Sequence, residues 1–232
     1  YLNEEAFFGI GPDTDVADES SFALEKTTAL AELGLRLGPK AAMHGFLQFE
    51  HSNIFEGQEE DTPPLTRVSS DSIPGVQTRI KIATVGLRYA LDSRDLPGRS
   101  TTGWEIAVHA SYSSQLGGEQ FRYWSLSADA QKTVHLFYRR TLVLRVFAER
   151  VRPLSGKAIP FFNLSELGRR ETIRGFTRGR FRDNDLLMAS VEYRYPIWHY
   201  FDAVLFCDVG QVSPDITRKL SLQKFKFAFG GG

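Results

Sequence analysis

The sequence predicts an all-β protein, and more specifically a transmembrane antiparallel up-and-down β-barrel. Three observations point to this fold class. Long segments alternate apolar and polar residues, connections alternate between short and long, and no run of about 18 apolar residues could form a membrane-spanning helix. A membrane-spanning strand needs only about 9–11 alternating residues, so a barrel remains compatible with this pattern.

The alternation is clearest in 102-TGWEIAVHASY-112 and 186-LLMASVEYRYP-196. In the first segment Trp104, Ile106 and Val108 share one face, whereas Glu105 and His109 lie on the other. A period of two residues is typical of a strand with one apolar and one polar face.

About nine strands are predicted, near 21–37, 41–55, 78–91, 102–116, 120–133, 139–152, 186–197, 201–212 and 222–230. Short turns join some of them, and the long connections are 56–77 and 153–185. A soluble β-sandwich or barrel also alternates and is the competing interpretation. Strand length argues against it, because soluble strands average about 5–6 residues and several here exceed ten.

Composition excludes several classes of function. Lys+Arg and Asp+Glu both number 28, so no overall charge favours nucleic acid. The single cysteine and five histidines show no metal-ligand spacing, and no complete nucleotide-binding or nucleophile motif occurs. We therefore predict no metal and no cofactor.

An arginine-rich stretch, 168-GRRETIRGFTRGRFRDND-185, stands out in a chain without net charge. Three interpretations are open: a nucleic-acid patch, a solvated loop, or a plug whose charge is neutralised elsewhere in the fold. RNA binding needs aromatic platforms for the bases, and only Phe176 and Phe181 are interleaved with these arginines. Nucleic acid is therefore not an expected partner.

Two carboxylates lie on the polar faces of the neighbouring strands that flank 198-WHY-200, namely Glu192 and Asp208. Pairing the strands so that residue numbers sum to 400 places these two side chains opposite each other. Such carboxylates repel unless a cation lies between them. A paired-carboxylate hydrolase is one interpretation, and an arginine folded in from the preceding loop is the other.

Several motifs resemble those of the bacterial surface antigen superfamily of outer-membrane β-barrels, which is BamA/TamA-like. The loop signature is 173-IRGF-176, and the following strands carry 190-SVEYRYPI-197 and 205-LFCDVGQV-212. Upstream, 92-DSRDLPGRSTTGW-104 resembles the Asp-x-Arg-Asp turn of that superfamily.

The resemblance implies a sixteen-stranded barrel, of which residues 1–232 form part, with the loop at 153–185 directed into the lumen. Arg174 would contact Glu192 and Asp208 on the barrel wall. Gly175 would allow a tight turn, and Ile173 and Phe176 complete the motif, with Phe176 against the inner wall. The other arginines would flank the loop in solvent, or face lipopolysaccharide or lumen carboxylates.

The aromatic residues Tyr195, Trp198 and Tyr200 flank a short turn, where an interfacial girdle is expected. The resemblance implies that the surroundings are the lipid bilayer and lipopolysaccharide of the bacterial outer membrane.

The function implied by the resemblance is insertion, assembly or translocation of proteins at the outer membrane, with no enzyme activity. Client outer-membrane proteins and accessory assembly subunits would be the partners. The alternative is a pore or carrier barrel without POTRA domains and without an assembly role. No POTRA domain is predicted within this chain, which we expect to be part of a longer polypeptide.

Overall fold

The computed structural model describes residues 2–57, 62–68, 73–76, 79–96, 99–168, 171–198 and 201–232. Its strands are β1 (Leu2–Phe7), β2 (Ser20–Arg36), β3 (Ala41–Glu56), β4 (Ile80–Asp92), β5 (Gly103–Gln115), β6 (Arg122–His135), β7 (Thr141–Pro153), β8 (Ser165–Leu167), β9 (Phe181–Asp183), β10 (Asp185–Pro196), β11 (Asp202–Ser213) and β12 (Lys226–Gly231). Two four-residue helices, α1 (Leu65–Val68) and α2 (Ile216–Lys219), and 3-10 turns at Val16–Asp18, Phe161–Asn163 and Leu222–Lys224 lie in the connections.

Ten strands form one antiparallel sheet in the order β1-β2-β3-β4-β5-β6-β7-β10-β11-β12, so chain neighbours are also sheet neighbours. The remaining pair, β8 and β9, forms a small separate hairpin within the loop between β7 and β10. This meander of long strands confirms the predicted all-β antiparallel architecture.

The nine predicted strands are all present, but the sheet has a tenth strand, β1, and the loop has its own hairpin. Strand β1, LNEEAF, is only six residues long and carries two glutamates, so its alternation was too short to recognise. The last strand begins at Lys226 instead of near 222, because a 3-10 turn occupies Leu222–Lys224.

One face of the sheet is apolar and exposed along much of its length. On this face, called the outward face below, lie Leu33, Val85, Leu87, Val146 and Leu205, all more than half exposed. Water would disfavour such a continuous apolar surface, whereas lipid would cover it. Within the described part of the chain, no helix is both long and apolar enough to cross a membrane.

The opposite, inward face carries the loops between strands. One apolar cluster packs Phe161 and Leu65 from the loops against Phe22, Ile82 and Tyr123 of the strands. A second packs loop residues against β10 and β11; its members are Leu167, Ile173, Phe181, Leu186, Met188 and Val212. The long connections are thus folded onto the sheet.

The sheet is curled, so that its two edges approach each other at the end that carries the long connections. Lys224, just before β12, lies 2.8 Å from Asp13, just after β1. These residues belong to connections at opposite edges of a ten-stranded sheet. A flat sheet of that width would hold them far apart, since neighbouring strands are separated by about 4.8 Å.

The turn between β4 and β5 contains the Asp-x-Arg-Asp motif. Arg94 pairs with Asp92 (2.7 Å) and with Glu105 (2.6 Å). The Thr101 hydroxyl and the backbone N–H of Thr102 donate to Asp95, which holds the pKa of that carboxyl well below its usual range. The ionised Asp95 carboxylate therefore stabilises the folded state above a pH of about 3.9, the pKa of Asp in an unfolded chain. This contribution is lost as the pH falls toward the lower pKa of Asp95 in the folded state.

We expect Val146→Arg to lower the free energy of unfolding by about 2–4 kcal/mol, because Val146 lies at mid-strand on the outward face and a charge there would enter hydrocarbon. The matched control is Ser127→Arg, on the inward face of β6, three residues along the strand from Ala130, the partner of Val146. Urea titration of the lipid-embedded full-length protein measures both. Equal destabilisation by the two substitutions would contradict the assignment of the faces.

Candidate functional site: the arginine-rich loop and the strand wall

The loop between β7 and β10 turns back onto the inward face and presents Arg174 to the strands. Gly175 has φ of +81°, a left-handed conformation that a side chain would strain. On the wall, a Cβ on Gly210 would meet Leu167 Cδ1 at 2.8 Å, so a side chain there would displace the buried Leu167 side chain of the loop. Both glycines therefore favour the close approach of loop and wall.

Arg174 makes a dense set of hydrogen bonds to two wall carboxylates. Its Nε and Nη2 donate to Asp208 Oδ2 and Oδ1, at 2.7 and 2.6 Å, and its Nη1 donates to Glu192 Oε2 at 2.9 Å. Its backbone N–H also donates to Asp208, at 3.2 Å. The guanidinium lies over the Phe206 ring, 3.6 Å from the centroid. The planar fork of donors suits this arrangement better than a lysine ammonium would.

The strand register differs from the one expected. Ser190 is the partner of Asp208, and Phe206 is the partner of Glu192, so paired residue numbers sum to 398 instead of 400. The prediction centred the turn on residue 200, whereas the turn begins after Pro196 and ends before Asp202. The two carboxylates are therefore diagonal neighbours on one face, and Arg174 spans both.

Ser190 occupies the position opposite Asp208 and completes the site. Its hydroxyl donates to Asp208 Oδ1 at 2.6 Å and accepts from Arg174 Nη2 at 3.1 Å. Asp208 is only 1% exposed, and so it depends on these donors. Asp208 and, less strongly, Glu192 raise the pKa of the Arg174 guanidinium, with burial opposing them.

The other motif residues flank this ion pair. Ile173 is fully buried among the loop and wall residues of the second apolar cluster, and Phe176 packs against that cluster, 5.7 Å from the Phe181 ring. The structure therefore brings Ile173, Arg174 and Phe176 to the wall or to the core that covers it, whereas Gly175 is exposed at the turn.

The predicted interfacial aromatics lie at the β10–β11 turn. Tyr195 stacks on Tyr193 at 5.5 Å, and the exposed Trp198 stacks on Phe201 at 6.3 Å. Tyr200 lies outside the described residues.

A second wall arginine, which the sequence did not single out, also holds the loop. Arg145 of β7 pairs with Asp129 of β6 (2.6 Å) and donates from Nη1 to the Glu171 carbonyl at 2.6 Å. This contact fixes the loop backbone three residues before Arg174. The sequence shows Arg145 and Asp129 as charged residues within predicted strands. Only the three-dimensional structure shows that the two side chains pair and face the loop.

The remaining described arginines of the loop reach β1 and the segment after it. Arg182, 1% exposed, lies 3.1 Å from Glu5 and 3.6 Å from Glu166, and Arg178 lies 3.0 Å from Glu5. Arg180 donates to the Thr14 hydroxyl and carbonyl, both at 2.7 Å. Sequence reasoning missed Glu5 because β1 was not recognised as a strand.

The arrangement binds each wall carboxylate to a guanidinium. Glu192 also accepts from Arg194 Nε at 2.7 Å, so two arginines and two carboxylates balance in charge. Among the described residues no three His, Cys, Asp or Glu side chains group as a metal site. The ion pairs of Arg174 attach the loop to β10 and β11 of the sheet.

We expect Arg174→Ala to lower the free energy of unfolding by about 3 kcal/mol, because buried Asp208 would lose its cation. In the double variant Arg174→Ala/Asp208→Asn the loss is expected to be smaller than the sum of the single losses, since no buried charge remains. Urea unfolding of the full-length protein in lipid measures all three.

The control in the same loop is Arg178→Ala. The Arg178 side chain is 51% exposed, and its partner Glu5 retains an ion pair with Arg182 in this variant. A loss below about 1 kcal/mol is expected for this surface-type ion pair. Equal losses for Arg174→Ala and Arg178→Ala would contradict a special role for Arg174.

A model of the "Omp85 superfamily domain" matches residues 2–232. Among solved structures, the crystal structure of BamA from Haemophilus ducreyi lacking POTRA domains 1–3 is similar, with a TM-score of 0.65 and 15% identity over 90% of this chain and 44% of that chain. No curated protein sequence matches.

The chain thus spans less than half of the BamA chain that it resembles. At this identity the likeness establishes the fold, and the domain match, which covers nearly every residue, establishes the family and confirms the resemblance inferred from the motifs. The chain belongs to the Omp85 superfamily of β-barrel proteins of the bacterial outer membrane.

Proposed function

We propose that this chain is the barrel part of a protein that inserts, assembles or translocates other proteins at the outer membrane. The observation that carries the proposal is the Arg174 anchor, because it fixes a long loop to β10 and β11 instead of leaving it mobile. Residues 1–232 would form part of one transmembrane barrel, with the loop at 153–185 inside its lumen.

The anchored loop supports such a role physically. A wide barrel filled with water resists deformation poorly, and a loop bound to several strands braces its wall from within. Arg174 binds β10 and β11, Arg145 of β7 binds the loop backbone, and Arg182 binds Glu5 of β1. Strands outside the braced region would then be the ones that yield to a client strand.

The proposed partners are the lipid bilayer, client outer-membrane proteins and accessory assembly subunits. Tyr195 and Trp198 would lie at the membrane interface on the short-turn side, where aromatic side chains are favoured. No covalent step, metal or cofactor enters this mechanism.

Depletion of the full-length protein from cells tests the proposal. We expect the amount of other folded outer-membrane barrels to fall, measured by their heat-modifiable electrophoretic mobility. Unchanged levels of these barrels, together with ion conductance of the purified protein, would contradict the proposal and favour a pore or carrier barrel.

Arg174→Lys tests the anchor without removing its charge. One ammonium cannot reproduce the three guanidinium nitrogens that bind Asp208 and Glu192, so we expect the assembly of other barrels to drop severalfold. The matched control is Arg194→Lys, on the same wall, where a single Nε contacts Glu192. Assembly activity is compared per folded molecule. Equal activity of the two variants would contradict the bracing role of Arg174.

A further inference from the structure

We propose that the outward face carries a binding site for a phosphorylated, acylated sugar lipid of the outer leaflet. The site lies at the end of the barrel that carries the long connections, where β6, β7 and β10 meet the α2 segment. This inference rests on the outward face and the outer-membrane family, and it does not depend on the proposed assembly function.

The first observation is a cluster of guanidinium groups on outward positions, called the rim cluster below. It comprises Arg122, Arg150, Arg152 and Arg218 with the carboxylates Asp185 and Asp215. Outward orientation follows from the neighbours, because Phe121, Tyr123 and Val151 belong to the inward core and side chains alternate along a strand.

Asp185 is the centre of the rim cluster and is fully buried. It lies 2.9 Å from Arg150 and 2.6 Å from Arg152, and it accepts the backbone N–H of Ile216 at 2.9 Å. This carboxylate holds two guanidinium groups side by side at the surface. Each remains partly exposed, at 32% and 21%.

The rim cluster keeps an excess of positive charge. Four guanidinium groups and Lys219, in the last turn of α2, outnumber three carboxylates, Asp185, Asp215 and the neighbouring Asp183, which interacts with Arg152 and Lys219. Arg122 adds unused hydrogen-bonding capacity, because its buried Nε has no acceptor among the described residues. A buried donor without an acceptor is costly, so an anion at this place would stabilise the cluster.

The second observation is an apolar groove on the same face, beside the rim cluster. Its volume is about 470 Å³, and its apolar lining includes Val85, Leu87, Tyr112, Trp124 and Leu126. That volume falls within the roughly 300–1,000 Å³ that small-molecule sites occupy.

The strand register joins groove and cluster. Trp124 is paired with Arg152, and Leu126 is paired with Arg150. Two apolar groove residues are thus the direct cross-strand neighbours of two arginines, at about 5 Å between Cβ atoms. Tyr112, which is paired with Trp124, lies at the same level.

A molecule that fits both features has phosphate next to acyl chains. Guanidinium groups bind phosphate through two parallel hydrogen bonds, and the acyl chain would cover the groove. Tyr112 and Trp124 would lie at the boundary between headgroup and hydrocarbon. In the outer leaflet this chemistry belongs to the phosphorylated glucosamine lipid that anchors lipopolysaccharide.

The test measures binding of three lipids to the purified full-length protein in detergent by native mass spectrometry. They are bis-phosphorylated lipid A, its dephosphorylated form, and phosphatidylglycerol. We expect the bis-phosphorylated form to bind at least about tenfold more tightly than each of the others, the equivalent of about 1.4 kcal/mol. Higher salt should weaken this preference.

The variant Arg122→Gln/Arg218→Gln removes two cations without disturbing the pairs around Asp185, so it should keep its fold. We expect its affinity for bis-phosphorylated lipid A to fall about tenfold, toward that of the dephosphorylated lipid. The matched control is Lys132→Gln, an outward cation lying over Trp104 (4.9 Å) nearer the opposite rim, which should leave the affinity unchanged.

Three results would overturn the proposal. They are equal binding of phosphorylated and dephosphorylated lipid A, unchanged affinity in Arg122→Gln/Arg218→Gln, and equal binding of phosphatidylglycerol, which would indicate a general anionic surface. Heat-modifiable mobility of each variant checks that it is folded before binding is compared.

Discussion

The ion pair between Arg174 and Asp208 is the constraint on which the rest of the site depends. Asp208 is buried on the inward face of β11, where an unpaired carboxylate would be costly. Its charge is neutralised only if the loop places Arg174 against β10 and β11. That placement needs the left-handed Gly175 and the small Gly210, and it brings Ile173 into the core between loop and wall.

The loop is bound to distant parts of the sheet. Arg174 binds next to one edge, at β10 and β11, whereas Arg182 binds Glu5 at the other edge, in β1. The arginine-rich composition thus has a structural explanation, because the described arginines of the loop contact carboxylates or carbonyls of other segments. Three of the carboxylates that neutralise these arginines, Glu5, Glu192 and Asp208, lie on strands of the sheet.

Sequence periodicity predicted the long strands well, since a period of two residues persists when one face meets lipid and the other meets water or a loop. Periodicity did not predict β1, because its six residues are too few to show the pattern. Glu5 of this strand forms an ion pair with Arg182 of the loop. The motifs predicted the partners of Arg174, but the register was displaced by two because the extent of the 197–201 turn is not encoded in alternation. Phe206 beneath the guanidinium and the contact of Arg145 with the Glu171 carbonyl depend on the loop path, which only the folded chain defines.

Amide hydrogen exchange of the loop in the lipid-embedded full-length protein tests the central claim most directly. The account predicts that residues 171–183 exchange slowly, as the strands do, whereas the exposed turn at 116–120 exchanges fast. In Arg174→Ala the loop should become fast while β10 and β11 stay slow. Fast exchange of residues 171–183 in the unmodified protein would contradict an anchored loop.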